Sequence, residues 1–129
     1  MARLKLAPRE LREYIKEHTG REVSTCIQCG LCTAVCPVAG FMDLHPAALV
    51  RRAMRGDLDL ASARSLWICV GCMTCVDKCP RDVAPGLVIE ALRKLALKHG
   101  VEFKRYDELS IDEKTPTIQL VLYSQRNTW

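Results

Sequence analysis

Two runs of cysteine with identical spacing constrain this chain more than any other feature. The first is Cys26, Cys29, Cys32 and Cys36, followed by Pro37; the second is Cys69, Cys72, Cys75 and Cys79, followed by Pro80. Together they use all eight cysteines of the 129 residues. Three cysteines spaced two residues apart can wrap one corner of an iron–sulfur cubane with backbone N–H groups turned toward the sulfurs. The fourth, three residues on, begins a turn that points away, and the proline after it redirects the chain. With this spacing in two-cluster proteins, the fourth cysteine of each run ligates the other run's cluster. The spacing therefore predicts two [4Fe–4S] clusters, one on Cys26, Cys29, Cys32 and Cys79, the other on Cys69, Cys72, Cys75 and Cys36.

Two other uses of cysteine compete with this reading. Structural zinc sites pair C-x-x-C knuckles across a longer loop, rather than running three cysteines into a fourth followed by proline. A disulfide scaffold belongs to secreted chains. Here Met1-Ala2-Arg3-Leu4-Lys5 charges too early for a secretory signal, and every apolar stretch is broken by Lys or Arg before it could span a bilayer. The expectation is a cytoplasmic chain without a membrane span. The formal charge is +4. Each four-thiolate cluster is a net anion, so two of them offset much of that excess, which then says little about nucleic acid. Aromatics are only 5% and no basic run interleaves with them, so no nucleic-acid partner is expected.

Around the runs the sequence reads as helix. Leu11, Tyr14, Ile15 and His18 recur at helical spacing between Pro8 and Gly20. Pro46 opens a segment with Leu49, Val50, Ala53 and Met54 on one side, Arg51, Arg52 and Arg55 on the other, and Gly56 as its stop. Asp57 or Asp59 is placed to cap a short helix through Leu66. Pro85 opens the clearest helix, with Val88, Ala91, Leu92 and Leu95 as its stripe, Arg93 and Lys94 off it, Lys98 at its edge and Gly100 as its stop. The expected architecture is mainly α, a repeated cysteine run flanked by helices over residues 1–100. Residues 101–129 form an extension in which Thr117–Tyr123 reads as a strand, to pair with a partner, fold back on its own domain or lie as an extended tail.

The remaining polar residues carry weaker signals. Gln28 is placed to hydrogen-bond a sulfur or to face solvent, and Lys78 and Arg81 either raise the second cluster's potential or are plain surface charges. His18, His45 and His99 fall at helix ends, and Trp67 reads as a packing wall beside a cluster. With the cysteines consumed as ligands and no Gly-rich phosphate loop, no catalytic residue is expected.

About thirty helix-prone residues separate the runs, where ordinary bacterial ferredoxins hold them close in a mostly β frame. The chain thus resembles the helical ferredoxin fold. From Cys26 to Ala96 it is similar to the C subunit of heterodisulfide reductase, a family with relatives in sulfur-oxidising complexes. The residues that carry the likeness are Cys26-Ile27-Gln28-Cys29-Gly30-Leu31-Cys32-Thr33-Ala34, His45-Pro46 with Leu49 and Arg51, Leu66-Trp67-Ile68-Cys69, Cys79-Pro80-Arg81-Asp82-Val83 and Glu90-Ala91-Leu92-Arg93. The resemblance implies an electron relay between a flavin- and cluster-bearing A subunit and a B subunit whose disulfide-active cluster is bound by Cys-Cys-Gly motifs. This chain has no Cys-Cys-Gly of its own. The alternatives are a free-standing soluble ferredoxin and, further off, an iron–sulfur component of a succinate or glycerol-3-phosphate type dehydrogenase.

Overall fold

Proline marks where the three long helices begin. A computed structural model of the chain describes residues 7–100. Six α-helices lie in this stretch: α1 (Pro8–Thr19), α2 (Leu31–Ala34), α3 (Pro46–Arg55), α4 (Ser65–Ile68), α5 (Thr74–Lys78) and α6 (Pro85–Lys98). Single 3-10 turns at Val23–Thr25, Ala39–Phe41 and Leu58–Ser62 link them. Pro8, Pro46 and Pro85 each take the first helical turn, where a missing N–H costs nothing and a fixed φ is already helical. The fold is mainly α, as the sequence predicts, and no strand occurs among the described residues. The strand expected at Thr117–Tyr123 lies outside them.

The apolar stripes of α1, α3 and α6 meet in one core. Leu11 and Ile15 come from α1, Leu49, Val50 and Ala53 from α3, and Val88, Ile89, Leu92, Leu95 and Ala96 from α6. Leu60 and Leu66 close it from the connector. Fully burying each such Leu or Ile contributes about 1.5–3 kcal/mol. Of the expected α1 stripe, Tyr14 packs at the core's edge, whereas His18 is exposed and lies against the Tyr14 ring at 3.9 Å between centroids. Arg51, Arg52 and Arg55 face water, as their phase on α3 predicts.

The connector departs from expectation. In place of one helix from Asp57 through Leu66 there are two pieces. Asp57 does cap: its Oδ1 accepts from the Asp59 N–H at 3.0 Å and starts the 3-10 turn. Ser62 Oγ then donates back to the Asp59 carbonyl at 2.7 Å, and Ala63 swings to extended backbone at ψ 130°. The next N–H groups are taken by a remote carboxylate: Asp43 accepts from Ser65 N at 2.8 Å and Arg64 N at 3.2 Å. Side chains that bond backbone groups in this way interrupt a helix that propensity alone would continue.

Arg93 is the second departure. It is 7% exposed, although its position on α6 lies beside the apolar stripe. Its guanidinium reaches across to α4, where Nε donates to the Leu66 carbonyl and Nη2 to the Cys69 carbonyl.

Candidate metal centres

Each cysteine run folds into the same loop. In the first, Gln28 and Gly30 have φ of 57° and 77°; in the second, the equivalent Gly71 and Met73 have 72° and 59°. Both runs thus need left-handed backbone at the same two places, and each supplies glycine at only one of them. A non-glycine residue there costs about 1–2 kcal/mol. The conformation turns N–H groups inward: Gln28 N approaches Cys26 Sγ at 3.4 Å, and its side-chain Nε2 donates to the same sulfur at 3.2 Å. Each loop then enters a short helix, α2 carrying Cys32 and α5 carrying Cys75.

Tertiary packing arranges the eight thiols around two cavities. One is lined by Cys26, Cys29 and Cys32 together with Cys79 from the second run. The other is lined by Cys69, Cys72 and Cys75 together with Cys36 from the first. The exchange occurs because α2 and α5 pack against each other, so the residue closing each run projects to its neighbour's side. Arg81 follows Cys79 and also lines the first cavity, not the second as its place in the sequence suggested. It is exposed there, and its Nε donates to the Thr25 carbonyl at 3.4 Å. Lys78 is exposed, and Trp67 packs against the core.

Apart from the cysteines, Arg81 and Gln28, the cavity walls are apolar. Val50, Ala47, Val83 and Pro85 line the first, Met42, Pro46, Val70 and Ile89 the second. Burial pushes the thiols of Cys32 and Cys36 upward and that of Cys75 up to about 11, against a smaller opposing pull from N–H groups, that of Gly86 in the case of Cys75. Cys72 goes the other way: the Thr74 hydroxyl and N–H donate to its sulfur and hold its thiol below the ordinary value. Val83 N donates to Cys79 Sγ at 3.4 Å. Half-buried thiols with N–H donors suit thiolates whose charge a metal offsets. The donors stand around the cavity walls and do not close on one point: among the described residues, no three His, Cys, Asp or Glu side chains gather closely enough for a single ion. Four thiols around an apolar space fit the demands of a [4Fe–4S] cluster.

Neighbouring polar contacts hold these loops in place. Thr33 Oγ1 accepts from Ala47 N at 3.1 Å and contacts His45 Nδ1 at 3.1 Å, while His45 Nδ1 accepts from Ala48 N at 3.3 Å. The first run is thereby tied to the start of α3, and His45 serves as its cap. Asp43, Ser65, Gly86 and Arg93 also position the runs, a role that nothing in the local sequence pattern signals. The partners through which Asp43 and Arg93 do so, Ser65 for the first and the Leu66 and Cys69 carbonyls for the second, lie 20 or more residues away, out of reach of any such pattern.

Fold and cavities together define a class, a helical ferredoxin-type protein with two four-thiol sites. The 4Fe-4S dicluster domain family matches residues 22–83. The C subunit of the ferredoxin:CoB-CoM heterodisulfide reductase from Methanosarcina acetivorans is 35% identical over 80 residues, covering 62% of this chain and 32% of that protein. Its counterpart in Methanosarcina mazei is 32% identical over 106 residues, covering 80% of this chain and 65% of that protein. The iron-sulfur C subunit of the CoB–CoM heterodisulfide reductase from Methanopyrus kandleri is 34% identical over 102 residues, covering 75% and 53%. The chain is a homologue of these heterodisulfide reductase C subunits, and it is an iron–sulfur protein with two [4Fe–4S] clusters. It spans between about a third and two thirds of the length of these relatives. No helix among the described residues is long and apolar enough to cross a membrane.

Proposed function

We propose that this chain is the electron-relay component of a heterodisulfide-reductase-like complex. In this reading Cys26, Cys29, Cys32 and Cys79 hold one cluster, and Cys69, Cys72, Cys75 and Cys36 hold the other. The observation that supports a relay most directly is the packing of α2 on α5, because Cys32 on α2 lines one cavity and Cys75 on α5 lines the other. When bound, the clusters supply one-electron oxidation and reduction. The protein's own part is to hold two such sites side by side, to exclude water with Val50, Val83, Val70 and Ile89, and to leave one edge of each open. Cys29 and Cys72 are the exposed thiols, one per site.

The partners in this reading are a B-type subunit with Cys-Cys-Gly motifs, where disulfide chemistry takes place, and a flavin-bearing A-type subunit. Residues 1–100 form the two-cluster domain, and 101–129 an extension that docks on a partner. A reducing cytoplasm keeps the thiols available to iron. The test uses the purified chain with clusters intact, reduced viologen as donor and the coenzyme M–coenzyme B heterodisulfide as acceptor. Both clusters should become reduced without disulfide turnover, and turnover should appear when the B-type subunit is added. Sustained turnover by the chain alone would overturn the relay role. Purification from its native host without other subunits would favour a free-standing ferredoxin.

A further inference from the structure

The buried guanidinium of Arg93 has no counterpart at the first cavity among the described residues. It projects from α6 beneath the turn that leads from α4 into the second cysteine run. Nε donates to the Leu66 carbonyl, Nη2 to the Cys69 carbonyl, and Nη1 to Glu90 Oε2 at 3.1 Å. The two carbonyls belong to the end of a four-residue helix, where C=O groups lack intrahelical donors. Arg93 satisfies both with one rigid planar fork, a geometry that lysine's single ammonium does not reproduce. Its side chain is 9% exposed, whereas its carboxylate partner Glu90 is 43% exposed, so water weakens the carboxylate's opposing field more than the guanidinium's. The guanidinium's charge, only partly offset by Glu90, therefore sits behind the peptide of Cys69 in surroundings that screen it poorly.

We infer that Arg93 is a positioning residue of the second site, and that it makes the cluster there easier to reduce than it would otherwise be. Adding an electron makes a four-thiolate cluster more negative, and a nearby buried cation favours that state. Through the Leu66 and Cys69 carbonyls the same side chain fixes the entry of the second run. The first site has instead the exposed Arg81, whose charge faces water. The structure is thus asymmetric in charge despite the repeat in its loops, and the asymmetry sets a preferred resting place for the electron. This rests on the relay reading and its crossed pair of clusters.

The experiment is a potentiometric titration followed by electron paramagnetic resonance, with iron and sulfide counted first, on wild type, Arg93→Gln, Arg93→Lys and Glu90→Gln. Wild-type protein with fewer than two clusters would overturn the two-cluster relay reading, apart from anything said of Arg93. With both clusters present, Arg93→Gln should lower the second cluster's midpoint and leave the first unchanged. At the wild-type midpoint the reduced-to-oxidised ratio of the second cluster should fall about tenfold, ~59 mV for a one-electron couple. Arg93→Lys should recover most of that shift, because the charge is kept, while its second-cluster spectrum broadens as the fork is lost. Glu90→Gln leaves the fork in place and removes the counter-charge, so it should move the second midpoint upward; it decides the matter if Arg93→Gln does not load iron. An unchanged second midpoint in loaded Arg93→Gln, or in Glu90→Gln when the former fails to load, would overturn the inference. So would equal shifts at both clusters.

Discussion

Gly86 shows how closely single residues are held at these sites. It lies in the first turn of α6, and a Cβ placed on it would meet Met73 Sδ at 2.8 Å, Val76 Cγ2 at 3.1 Å and Cys75 Sγ at 3.4 Å. Its N–H also donates to Cys75. Alanine should be tolerated, since the nearest atom is the end of a flexible methionine. Valine drives a branched side chain into Val76 and the Cys75 sulfur, where nothing can yield. Gly86→Val is expected to lose about half of its iron, the second cluster's share, and to keep the first. Iron analysis with spectroscopy of the remaining cluster checks this, and equal loss from both would contradict it. From the sequence, Gly86 is only a glycine next to a helix-opening proline; its contacts come from residues 73–76, at least ten positions earlier.

At the scale of elements, the long helices were legible and the short connections were not. Pro8, Pro46 and Pro85 mark their starts, and apolar spacing marks their faces. The break between Leu58–Ser62 and α4 depends on Asp43, whose carboxylate accepts from Leu44 N, Arg64 N, Ser65 N and the Ser65 hydroxyl. Partial burial pushes its carboxyl upward, but these donors more than offset that and hold it below the ordinary value. Asp43 works as an N-cap supplied from 22 residues upstream. Asp43→Ala should cost about 1–2 kcal/mol, the usual range for losing a cap, because buried Ser65 loses its acceptor. A lower urea midpoint at unchanged slope, measured on the loaded protein, is the expected result. A midpoint equal to wild type would mean that water replaces the carboxylate.

For the whole molecule, the crossed arrangement ties folding to metal. Cys79 closes the first cavity and Cys36 the second, so each cluster would staple two segments more than 30 residues apart. Cys36→Ser should disturb the cluster of Cys69, Cys72 and Cys75, and Cys79→Ser the cluster of Cys26, Cys29 and Cys32. Resonance spectra of the two variants check this; damage confined to each variant's own run would refute the crossed assignment. Chelation of iron is expected to release the packing of α2 on α5 while much of the α1–α3–α6 core persists. Circular dichroism should then show partial loss of helix, and full retention would separate cluster binding from folding.

The sequence by itself determined the cofactor type, the helical class and the faces of the long helices. These follow from spacings of two to four residues, and covalent geometry ties such spacings to local shape whatever surrounds them. Tertiary structure decided which positions of the two loops turn left-handed without a glycine, that Arg93 turns inward, and that Arg81 stands at the first cavity. It also decided that Asp43 caps a helix formed much later in the chain. The last three are contacts between segments distant in sequence, where burial and unsatisfied backbone groups outweigh local preference. Arg93 lies beside the apolar stripe of α6 and reads as surface by period alone; it is buried because the end of α4 brings two carbonyls within its reach.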